Sequence, residues 1–576
     1  MTQHRFIAVI LGLVFAVVSA RLAVADAGRA RPGSVAVLEV EGPSSVLFPF
    51  LQDGGFDFER MGTDKARVYA DDAERKQLEL SPFQMRLLEW QPNPPQFDGD
   101  AKTLGTYHSY DDVTAMLYGF AGSYPDICRL HNLGSSVQGR SLWALLITDN
   151  PDVEEEEPEF KYVSTIHGDE PVGTEMCLYF IDLLLRSYGG TTAEATRITW
   201  LINNTAIWIV PLMNPDGLML GTRYNAQGYD LNRRFPSLVQ DGAAGTVYSG
   251  APLDDAGRPP EVQHIMRWTA DNSFVLSANF HAGALVVNYP YDEDFGPLNV
   301  YKACPDDDLF IHISKLYSFY NPPMWNSPSF PYGITNGSAW YTIFGGMQDW
   351  NYRHVACNEV TIELSNTKKP PQSTLPTLWA NNRESMLHYL EAVHMGIRGV
   401  VRDALTDAPV YAKIEVQGRA QPVFSDPDVG DYYRMLLPGT YPLTIEAHGY
   451  YMRTVPQVTV AEGTAARLNI RLVPLSAGDA GRHAADTDVD YRISLSEVLR
   501  VVQFFNARAC HCDASTEDGY AIGPGDQSSC EPHHSDYAPQ DWTISLSEVL
   551  RLVQIYNNGG YIPCETGEDG FCLGFE

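Results

Sequence analysis

Three residues in the middle of the chain have the types needed to hold a divalent metal. His167 and Glu170 stand three apart in Thr165-Ile166-His167-Gly168-Asp169-Glu170-Pro171-Val172-Gly173. An imidazole and a carboxylate at that spacing both reach one ion. Zinc accepts that mixture, and a catalytic zinc site needs one more protein ligand and an open position for water. His281, in Leu276-Ser277-Ala278-Asn279-Phe280-His281-Ala282-Gly283, supplies a second imidazole. A water on such a zinc is acidified towards neutrality and needs a base to take its proton. Glu363, which follows Val360-Thr361-Ile362, offers that base. Singly, each residue has a plainer reading: a surface turn, a satisfied structural histidine, a solvated carboxylate. Together they form a hydrolytic set. The stretch from Arg223 to Pro236 adds three arginines, Arg223, Arg233 and Arg234, with Asn232 among them. An exposed basic loop is one account. The other is a carboxylate clamp, because a guanidinium fork holds a carboxylate by two hydrogen bonds and the asparagine adds another. A second arginine can steady the oxyanion of a tetrahedral intermediate.

For these groups to meet, their strands must lie side by side. Residues 160–166 are largely apolar and β-branched and read as a buried strand. Pro171 opens an amphipathic segment, 175–187, that reads as a helix with proline near its first turn. His167 and Glu170 then fall at a strand-to-helix turn, and in open α/β sheets ligands bind outside the carboxyl ends of the strands. Other strand-like runs are 142–147, 162–166, 206–210, 275–280 and 360–364, with helical runs between several of them. Residues 107 to about 395 are therefore predicted to form an α/β domain with a mixed, mostly parallel sheet and flanking helices.

The order of motifs resembles the zinc metallocarboxypeptidases, and among them the carboxypeptidase N/E, or regulatory, branch. The matching stretches are His167-Gly168-Asp169-Glu170, Asn214-Pro215-Asp216-Gly217, Gly228-Tyr229-Asp230-Leu231-Asn232-Arg233 and Asn288-Tyr289-Pro290-Tyr291-Asp292. They continue with Gly333-Ile334-Thr335-Asn336-Gly337, Trp340-Tyr341, Gly345-Gly346-Met347-Gln348-Asp349-Trp350-Asn351-Tyr352 and Glu363-Leu364-Ser365. The resemblance spans about 107–474. It implies a carboxypeptidase fold in which His167, Glu170 and His281 bind one catalytic zinc. It implies Glu363 as general base and then general acid, and Arg223 as the oxyanion arginine. It makes Asn232 and Arg233 the clamp for the substrate's terminal carboxylate, and Tyr341 the mobile tyrosine over the bound residue. Asp292 and Gln348 would lie in the pocket for a basic side chain, so the resemblance implies substrates ending in Arg or Lys. The chain departs from the branch at Ala282, where Gly is usual, and at Arg234, where Asn is commoner.

The remaining chain frames this domain. A formal charge of −32 over 576 residues argues against nucleic-acid binding and favours cationic substrates by long-range attraction, although solubility is the plainer account. Arg5, the apolar run 6–20 and Ala23-Val24-Ala25 read as a signal peptide over residues 1–25, so the protein is expected to be secreted or extracytoplasmic. No later run is apolar enough for a membrane span. Export permits disulfides, and nine cysteines leave at least one unpaired within the chain. Residues 33–95 read as a small α+β unit with a helix-like segment at 73–88 and a Pro-rich linker at 90–95, either a pro-region or a packing module. The catalytic domain is expected over 105–396. Residues 397–475 alternate in short strands and predict a β-sandwich that resembles the transthyretin-like domain of the same branch.

The tail, 483–576, repeats itself: Asp490-Tyr491-Arg492-Ile493-Ser494-Leu495-Ser496-Glu497 recurs as Asp541-Trp542-Thr543-Ile544-Ser545-Leu546-Ser547-Glu548. Asp486, Asp488, Asp490 and Glu497 fall at positions 1, 3, 5 and 12 of a calcium loop, with Tyr491 where Gly is usual. The second copy, with Asp536, Asp541 and Glu548, is one residue longer. The tandem resembles dockerin-type repeats, which implies calcium loops and a module able to bind a protein partner. Helical hairpins held by disulfides without metal are the alternative. For the whole chain the alternatives to a peptidase acting on basic C-termini are a cell-wall peptide carboxypeptidase and a catalytically silent binding member of the fold.

Overall fold

A computed structural model describes residues 34–53, 56–60, 64–70, 72–92, 105–241, 253–475, 481–564 and 567–573. The expected signal segment, 1–25, lies outside the described residues. The chain divides into two compact units, Met1–Asp98 and Gly99–Glu576.

In the first unit four antiparallel strands lie in the order Asp57–Arg60, Lys65–Ala70, Ser34–Glu41, Gln84–Pro92, with helices Ser44–Asp53 and Asp72–Glu79. Leu38, Val40, Leu47, Leu51, Val68 and Leu78 form its core. The helix expected to reach residue 88 stops at Glu79. From Gln84 to Leu88 exposure alternates residue by residue, with Met85 and Leu87 packed on the core. Period two is a strand's signature, and it overrides the helix propensity of the charged residues before it.

The second unit is built on an eight-stranded sheet: β1 (Cys128–Ser135), β2 (Ser141–Ile147), β3 (Glu159–Ser164), β4 (Ala206–Val210), β5 (Phe274–His281), β6 (Leu285–Tyr289), β7 (Ile334–Asn336) and β8 (Asn358–Leu364). The order is β7-β6-β8-β5-β3-β4-β2-β1. The central strands β8, β5, β3 and β4 are mutually parallel, whereas β6 and β2 run antiparallel to their central neighbours. Helices cover both faces. Alternate residues of β2 show it: Leu145 and Ile147 join the cluster that includes helix α1 (Val172–Ser187), while Ala144 and Leu146 join that of helix α2 (Met347–Val355). β5 is buried at every position, as a strand covered on both faces requires.

A β-sandwich of two four-stranded sheets follows, over Ile397–Leu472. One sheet pairs Asp431–Arg434 and Ala466–Arg467 with Ile397–Asp403, and the other has Lys413–Val416, Gly439–Glu446 and Arg453–Val460 at its centre and edge. The tail carries two helices, Leu495–Ala507 and Leu546–Asn557, each opened by a capping box, Ser494 with Glu497 and Ser545 with Glu548. Cys512–Cys530 and Cys564–Cys572 are disulfides, and the other five cysteines are free and buried. The tail shares a core with the sandwich through Val473 and Tyr451. The buried Arg453 donates to the carbonyls of Tyr491 (2.9 Å) and Tyr561 (2.5 Å), the first preceding one repeat helix and the second following the other.

Candidate active site

The backbone first sets the positions. β3 ends at Ser164, two residues short of the expected strand, because Thr165 adopts φ +54° and turns the chain off the sheet. The Thr165 hydroxyl bonds that of Thr174 in α1 (2.7 Å), and Met213 and Asn214 donate to the carbonyls of Ser164 and Thr165. His167 and Glu170 are thereby held beyond the end of β3. Gly168 is required there: a Cβ would stand 1.9 Å from the backbone carbon of Gly217, so the His-Gly-Asp-Glu and Asn-Pro-Asp-Gly stretches interlock main chain to main chain. His281 is the last residue of β5 and pairs across the sheet with Glu363 of β8.

These strand ends bring three donor atoms together. His281 Nδ1 lies 3.1 Å from His167 Nδ1 and 3.0 Å from Glu170 Oε2, and His167 Nδ1 lies 3.1 Å from the same oxygen. Bonds of 2.0–2.1 Å to a tetrahedral zinc would put ligand atoms about 3.3 Å apart, so the triangle fits that ion. His167 Nε2 donates to Asp230 Oδ1 (3.0 Å), which leaves the Nδ1 lone pair for a metal. All three residues are buried. His281 Nε2 has no hydrogen-bond partner among the described residues, and burial lowers the His281 pKa to about 4, favouring the neutral ring that binds metal. Burial opposes ionisation of Glu170, yet the closeness of His167 and His281 holds its carboxyl well below the usual range. Two-histidine, one-carboxylate chemistry and the mutual distances both suit zinc.

Of the ten residues expected at this site, nine line one cavity: the three donors, Glu363, Arg223, Asn232, Arg233, Asp292 and Tyr341. Gln348 does not. It is buried, and its amide makes no hydrogen bond among the described residues. Glu363 Oε2 is likewise buried without a partner, and burial with the nearby charge of Glu170 pushes its pKa up to about 8. Arg223 donates to Asp230 Oδ2 (2.9 Å) and Glu170 Oε1 (3.3 Å), and its Nη1 stands 3.0 Å from His167 Nδ1. Asn232 Oδ1 accepts from Met347 N (2.9 Å), so Nδ2 is the end of that amide able to donate. Tyr341 is half-exposed at the mouth.

One part of the cavity wall carries a buried carboxylate. Asp292 is 3% exposed, and its Oδ1 accepts from Asn288 Nδ2 (3.2 Å). It has no ion-pair partner among the described residues. Its room comes from Gly337, where a Cβ would lie 1.9 Å from Oδ1. The Asp349 carboxylate accepts from the backbone N–H groups of Asp292 (2.9 and 3.0 Å) and Glu293 (3.0 Å) and so holds the turn. Burial, then the charge of Asp349, pushes the Asp292 carboxyl well above its ordinary range. Ala282, where the branch has Gly, donates its N–H to Glu170 Oε2 (3.2 Å), and Arg234 stacks on Tyr229, 4.4 Å from the ring centre.

Sequence reasoning assigned no role to Asp230, Asn288 or Lys368. Lys368 Nζ bonds Asp169 Oδ2 (2.7 Å) and approaches Glu170 Oε1 to 3.5 Å. Asp230 was findable, since a metal-binding histidine needs a carboxylate on its other nitrogen and Asp230 sits two residues before Asn232. In the tail, Asp486, Asp488 and Glu497 present carboxylate oxygens within 4.8 Å of one another. Asp490 is not part of that group: its carboxylate accepts from Arg492 N (2.8 Å). Tyr491 takes φ +58° at the position where glycine was expected.

Residues 113–385 match the zinc carboxypeptidase family, and residues 396–473 match the carboxypeptidase regulatory-like domain. The carboxypeptidase N catalytic chain of Mus musculus is 41% identical over 389 residues, covering 62% of this chain and 84% of that protein. Carboxypeptidase M of the same species is 39% identical over 375 residues, covering 61% and 81%. Carboxypeptidase D of Homo sapiens is 41% identical over 388 residues, but this chain spans only 27% of that protein's length. Among the described residues no helix is long and apolar enough to cross a membrane.

Proposed function

This chain belongs to the zinc carboxypeptidase family, and from that premise we propose that it hydrolyses the last peptide bond of peptides or proteins ending in arginine or lysine. The observation that carries the specificity is Asp292, a buried carboxylate lining the candidate site with no ion-pair partner among the described residues. A desolvated carboxylate pairs well only with a positive group and disfavours apolar ones. His167, Glu170 and His281 would hold the zinc, which when bound acidifies water and polarises the scissile carbonyl.

The chain's own residues do the rest. Arg233 and the Nδ2 group of Asn232 bind the terminal carboxylate, and Tyr341 closes over the bound residue from the mouth. Glu363 takes the proton of the attacking water at its carboxylate and passes it to the nitrogen of the leaving amine. Arg223 donates to the oxygen that becomes negative as the carbonyl carbon turns tetrahedral. Asp230 orients both His167 and Arg223.

The reading extends to an exported protein with the domain limits given above. It also has calcium at the first tail loop, supported by the convergence of Asp486, Asp488 and Glu497. The test is a set of peptides differing only in the C-terminal residue, incubated with zinc-replete protein. Release of Arg or Lys far ahead of Leu or Phe is the expected result. Equal release would remove the basic specificity and leave the peptidase, and no release from any peptide would remove both.

A further inference from the structure

Between the catalytic domain and the β-sandwich lies a buried ionic cluster that the catalytic reading does not use. Its centre is Asp306, fully buried, just before helix Asp307–Phe319. Asp306 Oδ1 accepts from Arg434 Nη2 (2.7 Å) and Arg419 Nη1 (3.0 Å), and Oδ2 accepts from Tyr352 OH (2.8 Å). Both arginines belong to the sandwich. Arg434 is 1% exposed, and Arg419 also forks onto Asp308 through two bonds of 2.7 Å. Sandwich residue Gln421 donates to the Tyr352 carbonyl (2.9 Å). Tyr352 is thus held at its hydroxyl through Asp306 and at its main chain directly.

Tyr352 lies in α2, the helix that also carries Asp349. Its ring packs 5.8 Å from that of Tyr291, whose ring has the Arg353 guanidinium 3.4 Å from its centre. Tyr291 immediately precedes Asp292, and Asp349 grips the N–H groups of Asp292 and Glu293. At its start α2 bonds Asn232 through Met347 N. One helix therefore touches the carboxylate clamp and the acidic turn, and its far side is fixed by the sandwich. We infer that Arg419, Arg434 and Gln421 of the β-sandwich are positioning residues that set the place of Asp292 in the side-chain pocket. This rests on the proposed basic specificity. The physical reason is that a charge-selective pocket depends on placement to within a fraction of an ångström. Two guanidinium groups converging on one buried carboxylate, one of them also forked onto Asp308, give a support fixed by direction as well as charge.

The test uses the full chain with zinc. Arg434→Met, Arg419→Met, Gln421→Met and Tyr352→Phe are compared with wild type on Arg-ended and Leu-ended peptides, with zinc content and Tm measured on each. Tyr352→Phe keeps the ring and removes only the bond to Asp306. The expected result is a KM for Arg-ended peptides raised between about twofold and thirtyfold, the range for mutations acting along a packed network. Unchanged kcat, one equivalent of zinc and a smaller rise in KM for Leu-ended peptides, which α2 reaches only through the clamp, complete it. A purely structural cluster would lower Tm and leave KM at temperatures well below unfolding untouched, and that result overturns the inference. If Arg434→Met does not fold, Arg419→Met and Tyr352→Phe, which leave Arg434 on Asp306, decide the matter by the same criterion. Wild type without preference for Arg-ended peptides sinks the specificity reading instead, and is distinguished because it appears before any variant is made.

Discussion

Replacing Asp292 by asparagine removes the charge that a bound guanidinium would draw out of this carboxyl, and almost nothing else. The side chain keeps its volume, and the space left by Gly337 and the neighbouring Asn288 amide still suits it. Opposite charges 4 Å apart at an effective dielectric of about 20 attract by about 4 kcal/mol. Removing one partner of a buried charge pair costs about 2–5 kcal/mol. For Arg-ended peptides kcat/KM should therefore fall by roughly 30-fold or more, since each 1.4 kcal/mol is about tenfold, whereas Leu-ended peptides should be little affected.

The pH dependence carries a sign. Burial and the charge of Asp349 favour the protonated Asp292 in the empty pocket. A bound guanidinium favours the ionised form, so binding releases a proton and KM for Arg-ended peptides should fall as pH rises towards the pocket's own pKa. The asparagine variant should lack that slope. Stability moves the other way: a folded pKa above the unfolded value supports the fold when the group is protonated, and that support is lost as pH rises. Asp292→Asn should thus have a higher Tm than wild type at about pH 8, with a smaller gap at about pH 5. Steady-state kinetics on paired peptides and thermal melts at two pH values test both halves. A variant that keeps the wild-type Arg-to-Leu ratio would refute the electrostatic argument.

His281→Ala should lose zinc and activity together, measured by metal analysis beside turnover; a full equivalent of retained zinc would exclude His281 as a ligand. Glu363→Gln keeps shape but cannot accept a proton, so zinc should remain while kcat drops by about 10² or more. Near-normal turnover would exclude it as the base. Asp230→Ala removes the partner of His167 Nε2 and should weaken zinc affinity by about 10- to 100-fold in a chelator competition. An unchanged affinity would show that the histidine needs no such support. Millimolar calcium should raise the Tm of the full chain by binding only the folded tail, and Asp488→Ala should abolish the shift; a melt indifferent to calcium would favour the metal-free tail.

The parts of the site legible in the sequence were those whose position follows from local pattern. An apolar β-branched run, a turn and a helix put His167 and Glu170 at a strand end, and His281 and Glu363 close runs of the same kind. The neighbouring strands β1, β6 and β7 were not recognised, because short runs such as Leu285–Tyr289 mix apolar residues with Asn288 and carry no clean period. The direction of the Gln348 side chain is a matter local pattern does not decide. Which way a helical side chain faces depends on the rotation of the helix about its axis, and α2 is turned by contacts from residues more than 40 positions away, Asp306 and Asn232 among them. Asp230 differs: the need of His167 for a carboxylate partner points to it, although the two lie 63 residues apart.

Arg453 has a consequence for how the catalytic domain is carried. One guanidinium holds a carbonyl beside each of the two tail repeats, and the tail completes a core with the sandwich. The tail is therefore a rigid handle rather than a tether. A force on the tail helices would pass to the sandwich through Arg453 and the shared core rather than through a slack chain. A flexible linker of the same length would instead let the catalytic domain sample a sphere around its anchor and dilute the local encounter rate accordingly.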